Sequence, residues 1–273
     1  RTAFVSGSGC SSRFPHYMKT YGFHVIHGRA FPIAEGVKFA RPDLHVFVNT
    51  GDGDCCSIGA AHWIHALRYN MNLTVILHDN HVYGLTKKQA SPTSPVGFKS
   101  NTTPRGSVLL PLNPLTVTLG VENVSFVAQA VDWMPELMYD IVSKAFHHRG
   151  FSFIRVIQRC PEFLPKMFEP WLHDPNKTLL LTHENGLQPS PDMSRIYKNQ
   201  RAHDPLDIHR AREIASSEDP IPVGILYQNP EVPCYEDLRG AGKPRTVDAV
   251  RKGLDAEFDK FTIWPGEQGQ QRA

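Results

Sequence analysis

The sequence predicts an α/β protein: a parallel sheet covered by helices on both faces, with an extended C-terminal segment. Three observations predict it. HVFVN (45–49), LTVIL (73–77) and SFIRVIQ (152–158) are nearly continuous apolar runs, the pattern of strands buried on both sides. Stretches with helical spacing alternate with these runs, as parallel strands require. Polar, glycine-rich stretches follow the strand ends, where open parallel sheets hold ligands.

Taken in order, TAFVSG (2–7) reads as a short first strand that breaks at glycines. Pro32–Ala40 has helical character and ends at the turn Arg41-Pro42-Asp43. Strand 45–49 follows, then a helix over Cys55–Tyr69 with small and apolar residues on most faces, then strand 73–77. A long loop rich in Ser, Thr, Pro and Lys runs from Asp79 to about Gly106; a loop of that length inside a compact domain is usually functional. Ser125–Ala130, Pro135–His148 and Ser152–Gln158 read as strand, helix and strand. The first domain is expected to span 1–165.

After Cys160 the character changes to proline-rich, polar and weakly periodic. Asp204–Ser217 reads as a helix with Asp204 as N-cap and Pro205 at its first position. Val223–Tyr227 reads as a short strand, and the last forty or so residues as a tail with one helix around Thr246–Phe261. Residues 166–273 are expected to form an extension, poor in core residues, that wraps the domain or a partner subunit.

The chain's 273 residues, 41% hydrophobic and 21% charged, suit a soluble fold with a sizeable core. A net charge of +2 gives no nucleic-acid signal. No apolar run approaches the ~18–20 residues of a membrane span. Neither nucleic acid nor membrane is therefore expected as a partner. The five cysteines are odd in number and form no CxxC pair, so a reducing, cytoplasmic setting is expected. Cys55 and Cys56 read as packing residues. The chain begins at Arg1 without Met, and a motif follows almost at once, so a segment upstream is expected.

The stretch GDGDCCSIGAAHWIHALRYNMNLTVILHDN (51–80) carries the chemistry. Strand 45–49 ends just before Gly51-Asp52-Gly53-Asp54, and strand 73–77 ends just before Asp79-Asn80. Both polar sets reach one sheet edge. Oxygen donors from Asp52 and Asn80 suit a hard cation such as Mg²⁺. A helix N-terminus preceded by glycines suits a diphosphate. An ordinary nucleotide-type turn is the alternative.

Five stretches then occur in order: SGSGCSSRFPHY (6–17), HGRA (27–30), GDGD (51–54), DNHVYGLTKKQASPTS (79–94) and QRCPEF (158–163). Together they resemble the β subunit of 2-oxoacid:ferredoxin oxidoreductases. The resemblance implies a thiamine-diphosphate-binding fold and CoA-dependent oxidative decarboxylation of a 2-oxoacid, with electrons passed through iron–sulfur to ferredoxin. It implies that Asp52, Asn80 and the backbone carbonyl of Val82 hold Mg²⁺. Gly51, Gly53, Asp54, Gly84, Leu85 and Thr86 would lie along the cofactor's diphosphate, and His27, Gly28 and Arg29 near the cofactor. Cys10 and Cys160 would be two ligands of a [4Fe–4S] cluster, with two more cysteines expected upstream of Arg1. The activating glutamate would come from a separate α subunit, in an (αβ)2 assembly. Glu35, the one glutamate near these motifs apart from Glu162, has no clear role.

Substrate choice is expected to show as cations near the cofactor, since a second carboxylate needs a paired charge. Arg13 and Lys87 are the candidates, which favours 2-oxoglutarate; for each, a solvated surface cation is the alternative. Lys88 is expected to face solvent. A pyruvate-preferring enzyme and a cluster-less thiamine-diphosphate decarboxylase subunit are the competing activities. His62 and His65 share a helix face, but hydrogen-bonded histidines are expected there rather than a metal pair.

Overall fold

The computed structural model describes residues 1–240 and 246–261. Its strands are β1 (Thr2–Ser6), β2 (Tyr21–His24), β3 (His45–Gly51), β4 (Leu73–Asp79), β5 (Val82–Tyr83), β6 (Gln89–Ala90), β7 (Phe126–Val131), β8 (Phe151–Ile157), β9 (Thr178–Thr182), β10 (Gln200–Ala202) and β11 (Ile221–Gln228). Nine of these form one sheet in the order β10-β9-β11-β7-β8-β4-β3-β1-β2, and β5 and β6 form a separate hairpin. Every pairing in the large sheet is parallel except that of β11 with β7.

Alternate residues of each central strand serve opposite faces. Val46, Val48, Leu73, Val75, Phe151 and Phe153 pack in one layer with Phe31 and Ala34 of helix Ala30–Ala40 and Trp63 and Leu67 of helix Ala60–Tyr69. Phe47, Ile76, Ile154 and Val156 pack in the other with Leu137, Ile141 and Ala145 of helix Pro135–His147. Burial on both sides explains why these strands lack polar alternation.

The C-terminal part corrects one expectation. Leu179 and Leu181 of β9 join the first layer, and Leu180, Val223 and Ile225 join the second. Residues 178–228 are thus core-forming and extend the sheet past β7; they are not a loose wrap. Helix Val247–Asp259 has no buried residue.

Three local readings also change. The helix expected over Cys55–Tyr69 is a wide π-type turn at Asp54–Ile58, then Gly59, then helix Ala60–Tyr69. Gly59 N–H donates to Asp54 O at 3.1 Å, and a Cβ on Gly59 would stand 2.4 Å from that oxygen. The helix expected from Asp204 runs Ile208–Ala215 and is capped by Asp207, whose side chain accepts from Arg210 N–H; Asp204 instead accepts from Leu206 N–H in the preceding turn. Edge strand β2 was not foreseen, because all four of its residues are exposed and carry no apolar rhythm.

Candidate active site

β1, β3 and β4 pair in parallel, with Ser6 opposite Asn49 and Gly51 opposite His78. Their carboxyl ends therefore stop at one level. The segments that follow, around Cys10, Asp52 and Asn80, line a cavity of about 390 Å³. Of the sequence candidates, His27, Cys10, Gly51, Asp52, Gly53 and Asp54 line it from one side. Asn80, Val82, Gly84, Leu85 and Thr86 line it from the other.

Asp52 is 2% exposed. Ser91 Oγ and Thr93 Oγ1 both donate to the same oxygen, Oδ2, the latter at 2.7 Å. Burial, and then the charge of Asp79, push its carboxyl up to about 7. A buried carboxylate so disfavoured gains from a cation. Asn80 Oδ1 accepts from Val82 N–H at 3.2 Å, and this turn passes through His81 at φ 61°. Asp79 itself is turned away from the cavity into an ion pair: Arg155 Nη2 lies 2.7 Å from Asp79 Oδ2. Burial opposes its ionisation, but His81 and Arg155 hold it below the usual carboxylate range.

Asp54 lines the cavity, but both of its oxygens serve the protein. Gly28 N–H donates to Oδ1 at 2.6 Å and Thr50 Oγ1 to Oδ2 at 2.7 Å. The carboxylate thus fastens the HGRA turn to the end of β3 and sets His27 at the cavity wall, where His27 Nδ1 lies 2.7 Å from Ser8 O. Gly28 is needed at φ +73°, and a Cβ there would stand 2.4 Å from Ile58. Arg29 points the other way, donating to the carbonyls of Gly28 and Ile58.

Cys10 and Cys160 come together. A Cβ placed on Gly84 would lie 3.2 Å from Cys10 Sγ and 3.8 Å from Cys160 Sγ. The missing side chain leaves a cradle between two thiols, which fits an inorganic cluster. Burial raises the Cys10 thiol, partly offset by a hydrogen bond from Leu85, and Cys160 adds to the rise. Cys55 and Cys56 are in the core. Cys234 donates to Glu236 at 2.7 Å, remote from the cavity lining.

Arg13 and Lys87 do not line the cavity. Arg13 is exposed, its guanidinium 5.7 Å from the Tyr17 ring centre. Lys87 is exposed at the hairpin tip with φ 75°. Lys88, expected in solvent, is half-buried, with Nζ 5.9 Å from the Phe98 ring centre. Glu35 is outside the cavity and faces His65 at 3.3 Å. The pair gives His65 a hydrogen-bonding partner.

Sequence reasoning missed four contributors. Ser91 and Thr93 stand in the quoted ASPTS stretch, where a run of hydroxyls beside a buried acid was the available signal. Tyr83 OH donates to Gly53 O at 3.0 Å, and its ring fills the space a Cβ on Gly53 would need. His78 lines the cavity, with Nε2 3.3 Å from Asn49 Oδ1, and burial lowers its pKa to about 4. Its signal, a polar residue ending an apolar strand, is too common to single it out.

The family model for thiamine pyrophosphate enzymes, C-terminal TPP binding domain, matches residues 7–156. The model for the C-terminal part of the pyruvate ferredoxin oxidoreductase beta subunit matches residues 193–242. The 2-oxoglutarate oxidoreductase subunit KorB of Mycobacterium tuberculosis is 51% identical over 166 residues, 61% of this chain and 44% of that protein. The 2-oxoacid:ferredoxin oxidoreductase subunit beta of Sulfolobus sp is 37% identical over 251 residues, 89% of this chain and 78% of that protein. Among solved structures, a 2-oxoglutarate:ferredoxin oxidoreductase from Magnetococcus marinus, with 2-oxoglutarate, coenzyme A and succinyl-CoA bound, superposes with a TM-score of 0.73 at 33% identity. The match covers 93% of this chain and 82% of that one.

Proposed function

This chain belongs to the β subunits of the 2-oxoacid:ferredoxin oxidoreductases, and from that premise we propose that its cavity serves the oxidative decarboxylation of 2-oxoglutarate to succinyl-CoA. The observation that carries the reading is the meeting of Asp52, Asn80 and Val82 with Cys10 around one cavity, with Cys160 reaching it at Gly84.

Asp52, Asn80 and the Val82 carbonyl would hold Mg²⁺, since hard oxygen donors suit it. Gly51, Gly53 and Gly84, whose backbone without Cβ can come close, would flank the diphosphate together with Leu85 and Thr86. Cys10 and Cys160 would give two of the four thiolates of a [4Fe–4S] cluster, the other two coming from outside this sequence. Bound there, thiamine diphosphate supplies the nucleophilic carbon and electron sink for decarboxylation, and the cluster the one-electron steps towards ferredoxin.

The chain's own residues position and enclose. Ser91 and Thr93 fix the Asp52 carboxylate. Asp54 plays a positioning part by tying Gly28 to Thr50, and so places His27. Arg29 braces the same turn from outside. Tyr83 closes over Gly53. As the family resemblance implies, the activating glutamate would come from an α subunit, in an (αβ)2 cytoplasmic enzyme that uses coenzyme A and ferredoxin. Among the described residues no helix is long and apolar enough to cross a membrane.

The preference for 2-oxoglutarate is supported by the activities named for the Mycobacterium and Magnetococcus proteins. Arg13 ends the turn Cys10–Arg13, whose Ser11 lines the cavity, and would meet a distal carboxylate by turning from Tyr17 towards the mouth; Lys87 is a second, more remote cation. In the assembled enzyme, ferredoxin reduction should require 2-oxoglutarate and coenzyme A. Arg13→Ile should raise KM for 2-oxoglutarate much more than for pyruvate. Equal rises, or faster turnover of pyruvate by the unaltered enzyme, would contradict the substrate assignment.

A further inference from the structure

Beyond the registered pair Gly51–His78, β3 and β4 separate, and each delivers one proposed cation ligand: Asp52 directly, and Asn80 immediately after Asp79. No backbone pairing fixes the gap between them from that point on. Two side chains span it: Tyr83, whose OH donates to Gly53 O at 3.0 Å, and Thr93, which reaches the Asp52 carboxylate. Thr93 Oγ1 lies 2.7 Å from Asp52 Oδ2 and 2.8 Å from Asp79 Oδ1, and its single proton is shared between the two carboxylates. Thr93 and Asp52 are 1% and 2% exposed, and Asp79 is fully buried.

The far side of this bridge is braced. Arg155 Nε and Nη2 lie 2.8 and 2.7 Å from Asp79 Oδ2, so the Asp79 carboxylate cannot follow Thr93 if the hydroxyl moves. Arg155 is held in turn by Glu218 at 2.6 Å and by Gln129 at 3.2 Å. The near side carries Ser91, bonded to the same Asp52 oxygen as Thr93. Thr93 therefore joins the Arg155-braced Asp79, at the end of β4, to the carboxylate beyond β3.

We propose that Thr93 is a positioning residue that sets the distance between the two cation ligands, Asp52 and Asn80, by bridging Asp52 to the Arg155-braced Asp79. The proposal rests on the magnesium and thiamine-diphosphate reading given above. Its consequence is selectivity. Mg²⁺ demands near-ideal octahedral geometry with short bonds, whereas Ca²⁺ accepts longer and less regular ones. Loosening the gap between the ligands penalises the smaller ion more. A residue that served only folding would affect both ions alike.

The test uses the assembled enzyme and measures thiamine-diphosphate binding while Mg²⁺ or Ca²⁺ is titrated. Thr93→Val, of the same shape without the hydroxyl, should weaken the Mg²⁺ half-saturation about tenfold, the loss of one buried hydrogen bond to a charged group. The Ca²⁺ value should change by less than about threefold, given its tolerance for irregular ligands. Thr93→Ser, which keeps the hydroxyl, should retain the Mg²⁺ preference. If Thr93→Val does not fold, Thr93→Cys, which keeps a weak donor of similar size, should lower the Mg²⁺ preference below that of Thr93→Ser. Parallel loss of both ions, or an unchanged ratio in whichever of the Val and Cys variants folds, overturns the proposal. Asp52→Ala separates the two levels. If it too leaves Mg²⁺-dependent binding intact, the site assignment has failed; if it abolishes binding while the Thr93 variants keep the ratio, only the bridge has.

Discussion

At the residue scale, Gly84 shows how an absent side chain can define a site. Its backbone lies between Cys10 and Cys160, and a side chain would occupy the space both thiols face. Gly84→Val should therefore remove the broad visible absorbance of a cluster and, because Gly84 also flanks the proposed diphosphate position, weaken Mg²⁺-dependent thiamine-diphosphate binding with it. Retention of full absorbance would show that the cluster does not sit against Gly84. Asp52 and Asn80 were named from the strand ends and both cysteines from the family resemblance; the structure brings Asp52, Asn80 and Cys10 to one cavity, with Cys160 close by at Gly84. Ser91 and Thr93 were not legible in the sequence, since a Ser/Thr run in a loop usually means solvent. Only the fold reveals that the run returns to a buried carboxylate. Asp54 was legible as a cavity residue, yet its role differs: an acid among glycines suggests a ligand, whereas here it accepts from Gly28 and Thr50.

At the element scale, the turn Asp54–Ile58 and Gly59 decide how helix Ala60–Tyr69 enters the site. The wide turn lets Asp54 reach the HGRA segment before the regular helix begins; such bulges recur at functional sites. Gly59→Ala would press a Cβ against Asp54 O at 2.4 Å. It should destabilise the protein by about 1–3 kcal/mol, the usual cost of overpacking, and lower thiamine-diphosphate affinity with it. A melting temperature and an affinity both unchanged would show that the turn can relax without consequence. Gly59 was the sign of this break in the sequence, but an isolated glycine inside a helical pattern is often tolerated and did not mark it. Strands β1, β3, β4, β7 and β8 were legible because burial on both faces leaves continuous apolar runs. Strand β2, exposed and held only by β1, left no such trace.

At the scale of the whole molecule, the sheet is completed by residues distant in sequence. β11 lies antiparallel against β7, and β9 and β10 follow it outward. Glu218, in the segment that enters β11, contacts Arg155 and so links this half of the sheet to Asp79, behind the proposed cation site. The prolines and polar turns between these strands obscured them, since each strand is short and its partners lie far along the chain. A chain ending at Pro165 should be insoluble or unfolded, because it uncovers the long edge of β7. A chain ending at Gly240 should melt within a few degrees of the full one, because helix Val247–Asp259 buries no residue. A stable, monomeric 1–165 fragment would contradict the view that β9–β11 belong to the core.

The central claim is that the ends of β3 and β4 deliver Asp52 and Asn80 to one magnesium ion that carries thiamine diphosphate. The measurement that bears on it most directly is calorimetric titration of the assembled enzyme with thiamine diphosphate, with and without Mg²⁺, for the unaltered chain, Asp52→Ala and Asn80→Ala. The account predicts that the unaltered enzyme binds only with Mg²⁺, that Asp52→Ala shows no Mg²⁺-dependent heat, and that Asn80→Ala is strongly weakened. Unchanged, Mg²⁺-dependent affinity in both variants would contradict it.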